Sequence, residues 1–224
     1  MKDFRFLLDH ITSQATVKKE GNLEYVLKCY EPSSSFKWIV LSPVFRTAYP
    51  FVVSPSERMS RELRFFVDAE WEFFMVPRVI DVDFREKCIK REFIDGRLPD
   101  RPEDFELIGV ALHEIHEKGY LMGDTKPLNY LIKGDTVYVI DAEQTIGRKD
   151  ERLMAWDLAV LLFFTSYLFI NSYEKFKESV EYLKRGYREI REHAHRIFDY
   201  PNFGLLYLMP APHLLHLRRS LLNS

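Results

Sequence analysis

The chain has 224 residues, of which 46% are hydrophobic and 29% charged, a composition that excludes a disordered, collagenous or coiled-coil architecture. Its 32 bases and 34 acids leave a formal charge of −2, so it lacks the basic excess of a nucleic-acid binder. Two cysteines, Cys29 and Cys88, need no disulfide framework; they read as small core residues, and a reducing cytoplasm is the expected location. The charged N-terminus (Lys2, Asp3, Arg5, Asp9) lacks a signal-peptide core, and the most apolar run, 158–170, is too short to span a bilayer.

Taken in chain order, residues 15–19 and 24–30 read as strands around the turn pair Gly21-Asn22, and 36–41 as a further strand. Ser54-Pro55-Ser56-Glu57 combines a capping residue, a first-turn proline and an acid, so a helix is expected to about Ala69. Beyond Pro77, residues 79–83 and 88–93 read as a hairpin with 84–87 at its tip. A Gly/Pro-punctuated connector, 94–99, then changes the texture of the chain. Pro102 opens a helix whose Ile108, Ala111, Leu112 and Ile115 share one face, and Gly119 ends it. Short strands at 130–132 and 137–140 flank Gly134-Asp135. Helices are expected at 152–170, 173–197 and 211–222. The order implies an α+β, bilobal protein: a β-rich N-terminal lobe, 1–94, and a helical C-terminal lobe, 95–224, with the ligand site in the crevice between them.

The chemistry concentrates in Asp124-x-Lys126-x-x-Asn129 and in Asp141, which follows Asn129 by twelve residues across a hairpin. Phosphoryl transfer from a nucleotide needs a carboxylate to orient the attacking hydroxyl, a cation near the moving group, and two oxygen ligands for a metal. A loop after a helix can present Asp124, Lys126 and Asn129 together, and a hairpin return can bring Asp141 opposite them. His113/His116 and His213/His216 have helical metal-like spacing but no third ligand, and read as structural.

Asp124-Thr125-Lys126-Pro127-Leu128-Asn129 resembles the catalytic loop of the protein-kinase superfamily. Ile115-His116-x-x-Gly119-x-x-x-Gly123-Asp124, Ile140-Asp141-Ala142-Glu143-Gln144 and Trp156-Asp157-Leu158-Ala159 look like the corresponding runs of its small atypical members. These are the RIO kinases, the kinase of the KEOPS tRNA-modification complex and short archaeal and bacterial lipopolysaccharide-kinase-like proteins. The resemblance implies a bilobal kinase-like fold and ATP- and Mg²⁺-dependent phosphoryl transfer to a hydroxyl. It assigns the hydroxyl to Asp124, phosphoryl charge to Lys126, and Mg²⁺ to Asn129 and Asp141. Asp157 would brace the catalytic loop. Lys28, in Val26-Leu27-Lys28-Cys29-Tyr30, would hold phosphates and pair with Glu62, with Lys37 a rival for that role. Glu92 and Ile94, within 92–95, would form the adenine-binding hinge.

The implied function is an atypical serine/threonine protein kinase. The alternatives are a kinase of a small molecule or glycan, and a non-catalytic nucleotide-binding module. No membrane span and no nucleic-acid partner are expected. Several positions depart from the pattern. Ser13-Gln14-Ala15 stands where a glycine-rich loop would. Met122 takes the place of a histidine, Asp-Ala-Glu that of Asp-Phe-Gly, and helix resumes by about Arg152 without an activation segment.

Overall fold

A computed structural model describes residues 15–21, 23–31, 47–188 and 190–222. The expected strand at 36–41, Lys37, and Ser13 and Gln14 lie outside the described residues. Among the described residues the N-terminal part forms an antiparallel sheet of four strands, in the order β1-β2-β4-β3. It is built from β1 (Ala15–Glu20), β2 (Leu23–Cys29), β3 (Val79–Asp83) and β4 (Cys88–Glu92). Gly21 turns β1 into β2 at φ +61°, a backbone conformation that suits glycine. Helix α1 (Pro55–Leu63) continues as a π-helical turn, Arg64–Asp68, close to the expected end at Ala69. The buried face of α1 carries Arg58, Met59 and Glu62. It covers the face of the sheet that presents Lys28, Tyr30, Ile89 and Arg91, all buried. The period-2 alternation of β2 and β4 thus places two cations on an inward face, and the apolar cluster there is small, formed by Tyr30, Met59 and Ile89.

The register between β2 and β4 sets Cys29 directly opposite Cys88, with Cα atoms 4.1 Å apart, and the two are joined in a disulfide. Both side chains are half-buried. This overturns the expectation of two free core thiols, and with it the argument from cysteine usage for a reducing location. The residues lie 59 apart in sequence, so only strand pairing reveals their contact. Closing a loop of that length restricts the unfolded chain by roughly 4 kcal/mol in the entropic account. Reduction with a dithiol, or the double change Cys29→Ser/Cys88→Ser, is therefore expected to lower unfolding stability by about 2–4 kcal/mol. Equal denaturant midpoints with and without reductant would contradict this.

The C-terminal part is helical and holds the main core. Helix α2 (Asp104–Glu117) buries Ile108, Ala111, Leu112 and Ile115, the face its spacing predicts. Arg97 holds its N-terminus, donating to both carboxylate oxygens of Asp104 at 2.6 Å, while the backbone N–H groups of Asp100 and Arg101 donate to the same carboxylate. Gly119, at φ +79°, ends the helix as expected. The short strands β5 (Tyr120–Leu121) and β8 (Ile146–Gly147) pair with each other, as do β6 (Tyr130–Lys133) and β7 (Thr136–Val139). The pair β5–β8 was not visible in the sequence, because two-residue strands carry no periodicity.

Helix α3 (Glu151–Leu168) is capped by the Asp150 carboxylate, which accepts from the Arg152 N–H. The continuous helix expected at 173–197 is instead α4 (Tyr173–Gly186), an irregular turn, and α5 (Ala194–Ile197). The last turn of α4 packs closely on α2. A Cβ at Gly186 would collide with the Glu106 carbonyl, and one at Gly109 with the backbone of Leu183 and Tyr187, so α2 and α4 cross with their backbones almost touching. The chain then turns inward to bury Tyr187 against His116. Helix α6 (Tyr200–Leu206) was not expected; α7 (Ala211–Leu222) lies where its spacing predicts. Among the described residues no helix is long and apolar enough to cross a membrane.

Candidate active site

Two groups of side chains meet where the sheet and α1 face the helical part. The first surrounds Lys28. Its Nζ lies 2.6 Å from Glu62 Oε2, 3.0 Å from Asp141 Oδ1 and 3.4 Å from Glu143 Oε2. Burial disfavours the ammonium ion, but Asp141, Glu62 and Glu143 outweigh it, so the Lys28 pKa is raised and the side chain stays charged. Arg91, on the neighbouring strand, donates to Glu62 Oε1 at 3.2 Å and to the carbonyl of Ile140. Arg58, fully buried one turn ahead of Glu62, donates to Glu143 Oε2 at 2.7 Å. Removing one member of such a buried set leaves a charge without compensation.

The second group is the loop after β5. Lys126 Nζ donates to Asp124 Oδ2 at 2.6 Å. Burial lowers the Lys126 pKa, yet Asp124 and then Asp141 reverse that, and the net shift is upward. Lys126 thus feels both carboxylates and links the two groups electrostatically. Asn129 Nδ2 donates to the Asp124 carbonyl at 2.7 Å. The Asn129 carbonyl accepts the Ile140 N–H at 2.9 Å, so the backbone carries Asn129 to the residue beside Asp141. The donor set suits a hard divalent cation: an amide oxygen on Asn129, whose nitrogen is already committed, and the carboxylate of Asp141, 23% exposed.

Asp157 supports this loop from below. One of its oxygens accepts the Gly123 N–H at 2.7 Å. The other accepts the Met122 N–H at 2.7 Å and lies 3.1 Å from His116 Nε2. His116 Nδ1 meets the Tyr187 hydroxyl at 2.7 Å. The Thr125 hydroxyl donates to the Asp157 carbonyl, and Trp156 Nε1 to the Gly123 carbonyl at 2.9 Å. The sequence singled out Asp157, and it placed His116 in the Ile115-His116-x-x-Gly119 run of the resemblance without giving it a role beyond a structural one. Its place one helical turn behind Leu112, on the buried face, was the available signal. Met122 is buried, with the Thr145 hydroxyl 3.8 Å from its sulfur.

Tyr49 was missed altogether, since an aromatic residue in an irregular segment has no periodic mark. Its ring fills the space a Cβ at Gly123 would need, and its hydroxyl donates to the Gln144 carbonyl at 2.8 Å, with the Leu121 carbonyl 3.2 Å away. Gly123 is also at φ +74°. Gly123→Ala is therefore expected to destabilise the fold by about 2–4 kcal/mol, from the clash and the left-handed backbone together. A thermal midpoint equal to wild type would refute this placement.

Glu92 and Ile94 stand apart from both groups. The Glu92 N–H donates to the Arg78 carbonyl at 2.9 Å, and its carboxylate accepts the Arg78 N–H at 3.3 Å. Ile94 is buried, and its carbonyl accepts the Gly96 N–H at 3.0 Å. The structure thus brings Lys28, Glu62 and Asp141 into direct contact, gathers Asp124, Lys126 and Asn129 in one loop, and leaves Glu92 and Ile94 at the strand end that leads into the helical part.

No protein-family model matches the chain. Over 138 residues, 59% of its length, it is 28% identical to a probable bifunctional tRNA threonylcarbamoyladenosine biosynthesis protein of Methanosarcina barkeri, of which it spans 24%. Over 145 residues, 60% of its length, it is 28% identical to the KEOPS complex subunit Bud32 of Pyrococcus abyssi, of which it spans 64%. The chain therefore spans less than two thirds of either relative. Among solved structures it is similar to WaaP in complex with acyl carrier protein, with a TM-score of 0.50 at 14% identity, covering 87% of this chain and 84% of that one. At that identity the likeness is one of fold. The fold is kinase-like, strand-rich at the N-terminal side and helical at the C-terminal side, and over about 60% of its length the sequence resembles the KEOPS subunit and the tRNA threonylcarbamoyladenosine biosynthesis protein.

Proposed function

We propose that the chain is an ATP- and Mg²⁺-dependent phosphotransferase whose acceptor is a serine or threonine hydroxyl of a protein. The observation that supports this best is the pairing of two ionic contacts: Lys28 on Glu62 and Asp141, and Lys126 on Asp124. In this reading Asp124 accepts the hydrogen bond of the attacking hydroxyl, and Lys126 offsets charge on the transferred group. Lys28 holds phosphate oxygens with its rotamer set by Glu62. Asn129 and Asp141 offer oxygens to Mg²⁺, which when bound neutralises charge on the phosphates. The hinge at Glu92 and Ile94 receives adenine, and the lobes divide at about 94/95.

One observation favours a second acceptor class, a small-molecule or glycan hydroxyl. Only residues 142–150 separate Asp141 from α3, and much of that connector is buried, which leaves little chain to hold an extended peptide. The test has two parts. A ligand at one hundred times its Kd stabilises by about 2.7 kcal/mol, so ATP with Mg²⁺ is expected to raise the unfolding temperature clearly above that with either alone. Mass spectrometry of products from labelled ATP then separates phosphoprotein from phosphorylated small molecule. A Mg²⁺·ATP response without any transfer product in a cell extract would favour a non-catalytic nucleotide-binding module instead.

A further inference from the structure

Arg58 and Glu143 are given no role in the transfer itself, although Glu143 lies 3.4 Å from Lys28; both are buried almost completely, and each has its charge against the other. They belong to a wider fastening. The loop 142–144, which follows Asp141, is tied to segment 49–62 along its whole length. The Ala142 N–H donates to Glu62 Oε2 at 3.2 Å. Arg58 Nη2 donates to Glu143 Oε2 at 2.7 Å. The Gln144 side chain exchanges two hydrogen bonds with the backbone of Val52, at 2.8 and 2.9 Å, and Tyr49 holds the Gln144 carbonyl at 2.8 Å. Each successive residue of the loop thus has its own partner on the α1 side. The Glu143 N–H in turn donates to Asp141 Oδ1 at 3.3 Å.

We propose that Arg58 and Glu143 are positioning residues that latch α1 to the metal-binding loop, so that α1 and the Asp141 carboxylate move as one unit. Arg58 fixes the Glu143 side chain, and the Glu143 N–H then orients the oxygen of Asp141. In protein kinases the lysine–glutamate pair and the metal-binding aspartate must be in place together, a condition set there by helix position and an activation loop. Here the connector to α3 is short, and the latch supplies the coupling directly. Among the described residues the charges also balance: Lys28, Arg58 and Arg91 face Glu62, Asp141 and Glu143, each cation within 3.4 Å of at least one of the acids. The proposal rests on the phosphotransferase reading.

The balance allows position to be separated from electrostatics. The readout is the Mg²⁺ concentration that gives half of the ATP-dependent rise in unfolding temperature. It is measured for wild type, Glu143→Gln, Arg58→Met and the double variant Arg58→Met/Glu143→Gln. A latch predicts that all three variants need more Mg²⁺, by about tenfold or more, as for other supports behind a metal ligand, and the double variant, which removes one charge of each sign, reads position apart from charge. The double variant removes the two paired charges together, so its stability is expected to return toward wild type while its Mg²⁺ requirement stays high. It carries the test if the single variants do not fold. A wild-type Mg²⁺ midpoint in the double variant, or a lowered midpoint in Arg58→Met, as charge removal alone would give, overturns the latch and leaves the functional reading intact. A wild-type protein without any Mg²⁺·ATP response overturns both.

Discussion

Asp124→Asn is expected to reduce phosphoryl transfer by about 10²–10⁴-fold, the usual worth of a placed acid–base carboxylate, while Mg²⁺·ATP binding persists. The substitution keeps the shape of the side chain and an oxygen for Lys126, which now lies 2.6 Å away. It removes the charge that, in the proposed function, receives the hydroxyl proton. Asp141→Ala is expected to act differently. It deletes the carboxylate 3.0 Å from Lys28 and one proposed metal ligand, so the Mg²⁺-dependent thermal response disappears along with turnover. Measuring binding and single-turnover transfer on both variants separates the two roles. Equal binding losses in both, or wild-type transfer in either, would remove the assignment of Asp124 to the hydroxyl and Asp141 to the metal.

Asp157→Asn is expected to cost about 3–5 kcal/mol of folding stability, the range for breaking a buried, hydrogen-bonded charge. The wild-type carboxylate accepts from two backbone N–H groups and contacts His116. An amide turns one of those oxygens into a donor, which then faces a donor. The loop that carries Asp124 loses its support at Met122 and Gly123, so the proposed transfer by any protein that still folds is expected to fall as well. Tyr187→Phe provides the contrast. It removes only the hydroxyl on the far side of His116, a loss of about 1 kcal/mol, and leaves the loop bonds in place. Denaturant unfolding of the pair decides the matter, and a near-equal cost for the two variants would show that Asp157 is not the main brace.

Much of this was legible along the chain. The Gly21 and Gly119 stops, the Pro55 helix start and the inward face of α2 are local signals, set by backbone freedom and by the 3.6-residue repeat, and the structure has them where they were expected. The spacing of Asp124, Lys126 and Asn129 is likewise local, because a single loop presents all three. What the linear order could not carry is pairing between distant segments. The disulfide depends on the β2–β4 register, and the close approach of α2 and α4 depends on glycines that meet at 109 and 186. Arg58 on Glu143, Tyr49 on Gly123 and His116 on Asp157 each join residues tens of positions apart. Local sequence determines which segments are helix, strand or turn, since those preferences act over a few residues. Which buried charge meets which is decided only when the segments pack, because a charge inside a protein is stable only beside the partner that the fold brings to it.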